Sequence, residues 1–255
     1  IYKNKQMSLL SVLIVINNEE KQIEACLETV NFANEIVVIL DKCNDNSEKI
    51  AKKYTSKLYK GNWNIEGDRR NYGIKKCKGP WVLEIDADER VSMELKKEII
   101  ETITRSSADW HQIQVNNYLG KRIVKYGWGA YFGKSAYAGL FKNKMKKWGN
   151  QRVHPKIDLF GVQGNTLVNK LDHFYCKNIA DLFVKLNSYS NSRAVDLENS
   201  NHNETLLRNI RRLFSRFWKC FFLRKGYKEK RIGFTIALVA AIYPLLSFLK
   251  YRKSK

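Results

Sequence analysis

The sequence is poor in cysteine, and its cysteines are not arranged in pairs. Five are scattered along 255 residues: Cys26, Cys43, Cys77, Cys176 and Cys220. An odd number without Cys-x-x-Cys spacing argues against a disulfide framework and against a structural zinc site. It favours a reduced, cytosolic compartment. A glycine-rich phosphate loop is also missing after the first apolar run, where Asn17–Glu20 reads Asn-Asn-Glu-Glu.

Acidic residues are few compared with basic ones. The chain has 25 Asp and Glu against 46 Lys and Arg, a formal net charge of +21. This excess favours an anionic partner such as nucleic acid, anionic lipid or a phosphorylated substrate. Because no nucleic-acid recognition module can be identified, we do not expect nucleic acid to be the partner. Length and a hydrophobic content of 44% allow one large α/β domain with an appendage.

The first hundred residues alternate between apolar runs and amphipathic stretches. Strands are predicted at Leu9–Ile16, Glu35–Asp41, Ser56–Tyr59 and Trp81–Ile85, and helices at Glu48–Tyr54 and Gly67–Cys77. Alternation of this kind predicts a mainly parallel sheet flanked by helices, with ligands beyond the carboxyl ends of the strands.

Carboxylates stand at two of these strand ends. Asp41 closes the second strand, and Asp86 and Asp88 follow the fourth. In an extended chain, residues two apart project to the same side, so Asp86 and Asp88 can face one point. Paired oxygen ligands suit Mg²⁺ or Mn²⁺, which usually also hold substrate phosphates. This predicts a metal-assisted reaction on a nucleotide diphosphate, against the simpler interpretation of an acidic turn.

The sequence pattern changes after residue 108. Short runs rich in glycine and aromatic residues extend from Asp109 to His173, and a helix is predicted at Asn178–Asn199. We divide the chain into an α/β half at residues 7–108, a second half at 109–204 with the character of an antiparallel extension, and a basic, apolar tail at 205–255. Trp128, Tyr131 and Trp148 are candidates to stack on a ligand ring, although aromatic residues more often fill a core. The basic stretch from 142 to 147 is most simply a solvated loop.

The tail contains an uncharged apolar segment, Ile232–Leu249, between basic flanks. At about 18 residues it reaches the lower limit for crossing a bilayer. The basic and aromatic stretch before it, Phe214–Arg224, is equally typical of helices that lie in the membrane interface. A buried core helix is the alternative. We expect attachment to an anionic membrane, either spanning or interfacial.

Several motifs, in order, resemble family 2 glycosyltransferases with a GT-A fold, and most closely the branch that adds a sugar to the lipopolysaccharide inner core. They are Asn18–Glu20, Asp41 with Asn44–Ser47, Arg69–Gly73, Gly79–Ser92 and Arg152–His154. The N-terminal half matches well, and the resemblance implies that residues 7–108 form a nucleotide-sugar-binding half. The C-terminal half, which sets acceptor choice in the family, matches more loosely. Residues 109–204 would form this acceptor-binding half, in which Trp128, Tyr131 and Trp148 could stack on a sugar.

The resemblance implies a role for each matching residue. Glu20 would lie near the nucleoside, and Asp41 would accept a hydrogen bond from the base, typically uracil. Arg70 and Asn71 occupy the position that approaches the donor nucleotide. Two further roles concern the metal: Asp86 would contact the ribose or the metal's water shell, and Asp88 would ligate a Mg²⁺ or Mn²⁺ that bridges the diphosphate.

Two positions depart from the family pattern. Ile16 stands where relatives carry a small hydroxyl residue, and Pro155 stands where they commonly carry a glutamate that is a candidate general base. The base is therefore open among His154, Asp158 and Glu89, with His154 slightly preferred because its motif position is retained.

These observations predict an inverting, metal-dependent glycosyltransferase at the cytoplasmic face of the inner membrane. It would move a hexose from a nucleotide-sugar, UDP-linked in our interpretation, to a lipopolysaccharide-core or other lipid-linked glycan. One alternative is a catalytically inactive, membrane-tethered GT-A binding protein, for which Pro155 is the argument. A nucleotidyltransferase is less favoured because it would normally carry a glycine-rich phosphate loop.

Overall fold

The computed structural model describes residues 10–129, 132–151, 155–199 and 204–254. These residues form two compact units. The first holds the chain up to Val115 together with Ala136–Asn150 and Pro155–His173, and the second holds Asn116–Ser135 and the chain from Phe174 onward. Two strands, β6 (Trp110–Leu119) and β11 (Leu167–Cys176), begin in the first unit and end in the second.

A mixed sheet forms the framework of the first unit. Its other strands are β1 (Leu10–Ile16), β2 (Glu35–Asp41), β3 (Leu58–Gly61), β4 (Trp81–Ile85), β5 (Glu89–Arg90) and β8 (Ala136–Lys142). The order is β3-β2-β1-β4-β8-β6-β11-β5, parallel from β3 to β4 and antiparallel where β8 joins β4 and β6. A separate hairpin pairs β9 (Lys146–Trp148) with β10 (Ile157–Leu159). The mixed sheet with its flanking helices confirms the predicted fold class.

Helices cover both faces of the parallel strands because successive residues of a strand point to opposite sides. In β1, Val12 and Ile14 belong to the core beneath α1 (Ile23–Thr29), α2 (Ser47–Ala51) and α4 (Met93–Arg105). Leu13 and Val15 belong to the core beneath α3 (Glu66–Lys76). Both faces being covered explains why the strands read as continuous apolar runs.

Helix α3 lies unusually close to the sheet. A Cβ atom on Gly73 would lie only 2.5 Å from Leu13 Cδ1, so a larger residue would push the helix outward. This close approach places α3 beside the ends of β2 and β4, where Arg69 and Arg70 of the helix bind carboxylates.

The second unit is mostly helical. It contains β7 (Arg122–Val124), α5 (Ile179–Glu198), α6 (Leu206–Trp218), a π-helical turn at Lys219–Leu223, a 3-10 turn at Gly226–Glu229 and α7 (Lys230–Ser254). Helix α7 packs against both α5 and α6. Its side chains Ile236, Val239 and Tyr243 are fully buried, so α7 supplies much of this unit's core.

The predicted apolar tail is thus a helix. Among the described residues, Gly226–Ser254 is the single helical segment long and apolar enough to cross a membrane by length and composition. A little over half of its most apolar stretch, 56%, is buried inside the protein, and a core helix of a soluble protein meets the same criteria.

Candidate active site at the carboxyl edge of the parallel strands

Carboxylates from two strands meet at one edge of the sheet. Strand β1 lies between β2 and β4, with Ile16 opposite Leu40 and Ile14 opposite Ile85. Asp41, the last residue of β2, and Asp86, the first residue after β4, therefore stand on either side of the end of β1. The parallel sheet predicts this arrangement.

Two consecutive arginines of α3 hold these two carboxylates. Arg69 Nη1 donates to Asp41 Oδ2 at 3.0 Å, and Arg70 Nη2 donates to Asp86 Oδ1 at 2.9 Å. Asp41 is nearly buried, and its Oδ1 accepts a further hydrogen bond from the backbone N–H of Trp63 at 3.0 Å. One short segment of α3 thus fixes acidic side chains from both strand ends.

The loops after β1 and β2 are tied to each other. Glu20 Oε2 accepts hydrogen bonds from the backbone N–H and the side-chain amide of Asn46, each at 3.1 Å. Asp45 accepts from the backbone N–H groups of Glu20 and Ser47, each at 3.0 Å. Burial alone would raise the pKa of Asp45, but these hydrogen bonds outweigh it and the pKa lies below its usual value. Asp45 is therefore explained by its local hydrogen bonds at the start of α2.

Arg70 lies at the centre of a buried charge network. Its Nε donates to Glu66, Nη1 to Glu84 and Nη2 to Asp86, each at 2.9 Å. The guanidinium also lies 4.8 Å from the centroid of the Trp148 ring. Burial would lower the pKa of Arg70, but Asp86, Glu66 and Glu84 hold it well above its ordinary value. Arg70 is thus engaged by the protein on all sides of its planar fork.

Lys146 completes this network from β9. Its Nζ lies 2.8 Å from Glu84 Oε2 and donates to the backbone carbonyl of Ala138 at 2.8 Å. Burial would raise the pKa of Glu84, but Lys146 and Arg70 together overcome it, so the pKa lies below 4.5. The side chain of Lys146 is fully buried, so interpreting residues 142–147 simply as a solvated loop is wrong for this residue.

The acidic motif after β4 is a tight turn rather than an extension of the strand. The backbone N–H of Glu89 donates to the carbonyl of Asp86 at 3.0 Å, and the N–H of Asp86 donates to Glu89 Oε2 at 2.8 Å. Asp88 Oδ2 lies 3.3 Å from His173 Nε2. The side chains of Asp86 and Asp88 remain 29% and 24% exposed, so both can be reached from solvent.

Residues 11–163, more than half of the chain, match the sequence profile of glycosyl transferase family 2. This stretch contains both strand ends and the acidic turn. The chain belongs to this family. It is a glycosyltransferase with the GT-A type of mixed α/β sheet.

Two relatives carry the name glycosyltransferase, and one solved structure overlaps with most of the chain. The glycosyltransferase is 26% identical to an uncharacterized glycosyltransferase of Rickettsia bellii, over 96% of this chain and 86% of the relative. It is 25% identical to a second one, RC0292 of Rickettsia conorii, over 96% and 90%. The crystal structure of S. aureus TarS 1–349 is 14% identical with a TM-score of 0.49, covering 97% of this chain and 92% of that one.

The candidate bases of the glycosyltransferase differ in position. Glu89 is completely buried, and its Oε2 also accepts a hydrogen bond from the Tyr137 hydroxyl at 3.3 Å. Asp158 is exposed on β10, opposite Lys147. His154 lies outside the described residues. The choice among the three stays a prediction.

Asn71 has a visible structural task. Its side-chain amide donates to the backbone carbonyl of Trp148 at 2.8 Å and accepts from the backbone N–H of Trp148 at 2.9 Å. This pair of hydrogen bonds joins α3 to β9. A contact between Asn71 and the donor nucleotide stays a prediction.

The acidic turn fits a metal ion that is shared with substrate. Among the residues that the structure describes, no three His, Cys, Asp or Glu side chains are gathered to hold a metal by themselves. Asp86 and Asp88 offer two accessible carboxylates on one turn. Mg²⁺ is commonly held by one or two protein carboxylates together with substrate phosphates and water, and this donor set meets that pattern.

Sequence reasoning missed three residues of this region. His173, at the end of the aromatic-rich region, lies against Asp88. Trp63 and Lys146 support Asp41 and Glu84. No spacing pattern connects these residues with the acidic motif, because the sheet and hairpin bring them together from distant positions.

Proposed function

We propose that this glycosyltransferase is an inverting, metal-dependent enzyme. It moves a hexose from a UDP-linked donor to a lipopolysaccharide-core or other lipid-linked glycan acceptor at the cytoplasmic face of the membrane. One observation carries the proposal. Carboxylates at the ends of β2 and β4 are bound by consecutive arginines of α3, while the acidic turn stays open to solvent.

The nucleotide end of the donor would lie beside Asp41 and Glu20. The carboxylate of Asp41 is already aligned by Trp63 and Arg69, and Glu20 is held by Asn46. Groups fixed before binding lose little entropy when a ligand arrives, which favours a defined orientation of the base. The hydrogen bond from the nucleotide base to Asp41 is implied by the resemblance to the family.

The diphosphate end would lie at the acidic turn. Asp88 would hold the metal ion, with Asp86 beside it. When bound, a divalent ion of this kind neutralises the charge that develops on a leaving diphosphate. Arg70 acts as a positioning residue because it keeps Asp86 in place through a buried network. Arg70 would thus contribute through Asp86, and its own approach to the donor nucleotide stays a prediction.

Transfer with inversion also requires the acceptor hydroxyl to lose its proton while it attacks in line with the anomeric carbon. A carboxylate or imidazole within hydrogen-bond reach would accept this proton. Asp158 is accessible to solvent, whereas Glu89 is enclosed by the turn that it supports. His154 keeps its place in the family motif.

The proposed location and acceptor are supported by composition and by the second unit. A net charge of +21 suits an anionic membrane surface. The second unit also exposes large apolar side chains beside basic residues on α6, including Phe214 and Trp218. All five cysteines are free, which suits a reduced compartment such as the cytoplasm.

The proposal is tested by measuring UDP release in detergent with Mn²⁺, a panel of UDP-sugars and a lipopolysaccharide-core oligosaccharide. We expect UDP release with one donor to rise when the acceptor is added. UDP binding without turnover of any donor would instead indicate an inactive GT-A binding protein. Release of pyrophosphate from a nucleoside triphosphate and a sugar phosphate would indicate a nucleotidyltransferase.

A further inference from the structure

Helix α6 of the second unit turns its apolar side chains outward. Leu207, Phe214 and Trp218 are 78%, 68% and 56% exposed. The exposed apolar residues continue into the π-helical turn that follows. We define the α6 face as Leu207, Ile210, Phe214, Trp218, Phe222 and Leu223, all of them exposed.

The side of α6 that faces its own unit is mixed in character. Asn209 is 2% exposed, and its side-chain amide donates to the carbonyl of Thr205 at 2.9 Å within the helix itself. Phe217 packs against the core, with its ring centroid 5.7 Å from that of Phe234 on α7. The Arg216 guanidinium lies 5.9 Å from the Tyr243 ring. A surface helix of a soluble protein normally buries its apolar stripe, but α6 buries only part of its apolar side chains.

The surroundings of the α6 face carry one sign of charge. No acidic residue occurs between Thr205 and Lys228. Exposed basic residues border the apolar side chains: Arg208, Arg211, Lys219, Arg224 and Lys225. Contiguous exposed apolar surface marks an interaction site, and basic flanks with an exposed tryptophan suit the headgroup region of an anionic bilayer.

Helix α7 is the opposite case. Ile236, Ala237, Val239, Ala240 and Tyr243 are fully buried in the core of the second unit. A little over half of its most apolar stretch is thus covered by protein, whereas the apolar side chains of the α6 face are all exposed.

We propose that the α6 face inserts into the boundary between headgroups and acyl chains of an anionic membrane, and that α7 serves as the core helix supporting it. This inference rests on the membrane location in the proposed function and names the surface responsible. Leu207, Phe214, Trp218 and Leu223 enter the apolar layer, while Arg208, Arg211, Lys219 and Arg224 meet lipid phosphates.

Flotation of the full chain with vesicles tests the surface directly. Vesicles of phosphatidylglycerol and phosphatidylcholine are compared with vesicles of phosphatidylcholine alone, without sugar nucleotide. We expect the wild type to float with the anionic vesicles, and the double variant Phe214→Glu and Trp218→Glu to bind at least about tenfold more weakly. The matched control is Val184→Glu, which alters a side chain 67% exposed on α5 of the same unit and should leave binding unchanged.

Two further measurements keep the test decisive. Brominated lipids should quench tryptophan fluorescence in the wild type and much less in Trp218→Phe, a substitution that preserves an aromatic side chain. Arg208→Gln with Arg211→Gln should weaken the preference for anionic vesicles. Thermal unfolding is followed for every variant so that loss of folding is recognised.

The inference is overturned if the Phe214 and Trp218 double variant floats as well as the wild type while remaining folded. It is also overturned if the wild type ignores vesicles and forms a dimer that this variant abolishes, since the α6 face would then bind a second copy. UDP release in detergent is measured separately. UDP release without vesicle binding would therefore contradict only the inference about the α6 face. Vesicle binding without UDP release would contradict only the proposed transferase activity.

Discussion

Four carboxylates around the end of β4 divide into a buried pair and an accessible pair. Glu84 and Glu89 are 1% and 0% exposed, whereas the side chains of Asp86 and Asp88 are 29% and 24% exposed. Glu84 binds Arg70 and Lys146, and Glu89 holds the backbone of the turn. The accessible pair lies at the edge where a ligand would arrive.

The difference in exposure indicates that the buried pair supports the structure and that the accessible pair contacts ligands. A buried carboxylate is tolerated only when it is paired and hydrogen-bonded, and removing one partner leaves another charge uncompensated. An accessible carboxylate is solvated and can exchange water for a metal or a ligand. We therefore expect changes in the buried pair to lower stability, and changes in the accessible pair to lower donor binding.

The largest effect on stability should come from Glu84→Gln. This change leaves Arg70 and Lys146 without their shared carboxylate in a buried site. The free energy of unfolding should fall by about 3–5 kcal/mol. Urea unfolding followed by circular dichroism measures this difference.

The control for Glu84 is Glu101→Gln on α4. Glu101 pairs with Arg105 one helical turn away, and both side chains are mostly exposed. Exposed pairs contribute little, so this variant should lose less than about 1 kcal/mol. Equal losses in the two variants would contradict the distinction between buried and accessible carboxylates.

A smaller loss should follow Arg70→Lys. Lysine keeps the charge but cannot donate simultaneously to Glu66, Glu84 and Asp86 as the guanidinium does. We expect about 2 kcal/mol of destabilisation and weaker UDP binding because Asp86 loses its support. Unfolding and calorimetric titration with UDP and Mn²⁺ check the two effects, and unchanged UDP affinity would show that Arg70 does not act through Asp86.

The same charge network should also affect how steeply the free energy of unfolding falls in acid. The folded pKa of Glu84 lies below 4.5 because Lys146 and Arg70 outweigh the effect of burial. Its contribution to stability is therefore complete above the unfolded pKa and is lost as the pH falls through the folded pKa. Below about pH 5, the wild type should therefore lose stability more steeply with falling pH than Glu84→Gln does. Parallel curves would show that Glu84 is not responsible.

The smallest effect on stability is expected for His173→Gln, which keeps a polar side chain of similar size at this buried position. This substitution removes the ring beside Asp88 without touching the buried pair. Groups that orient a ligating carboxylate typically change metal affinity by tenfold or more, so UDP binding in Mn²⁺ should weaken about tenfold while stability changes little. A loss of stability as large as that of Glu84→Gln would place His173 among the structural residues instead.

The sequence was sufficient to predict the parallel half of the fold. Largely apolar runs mark β1, β2 and β4, and acids at the ends of β2 and β4 predict a common edge. The i and i+2 argument for Asp86 and Asp88 was less accurate, because β4 ends at Ile85 and a turn follows. Local geometry of this kind depends on Glu89, which reaches back to the turn's own backbone.

Other features depend on tertiary packing. Lys146 reads as one of several lysines in a basic run, and only the hairpin places it beside Glu84. The basic and aromatic character of Phe214–Arg224 is evident from sequence, but the sequence does not show which of its aromatic side chains are buried. The structure leaves Phe214 and Trp218 exposed, whereas Phe217 packs against the core.

The most direct test of the account is a calorimetric titration of UDP into wild type, Asp88→Asn and Asp68→Asn, with Mn²⁺ and with a chelator. Asp68 is an exposed acid on α3 and serves as the matched control. We predict Mn²⁺-dependent binding by the wild type and by Asp68→Asn, and at least about a tenfold loss in Asp88→Asn. Equal UDP affinity in all three proteins, with or without Mn²⁺, would contradict a metal-bridged diphosphate at the acidic turn.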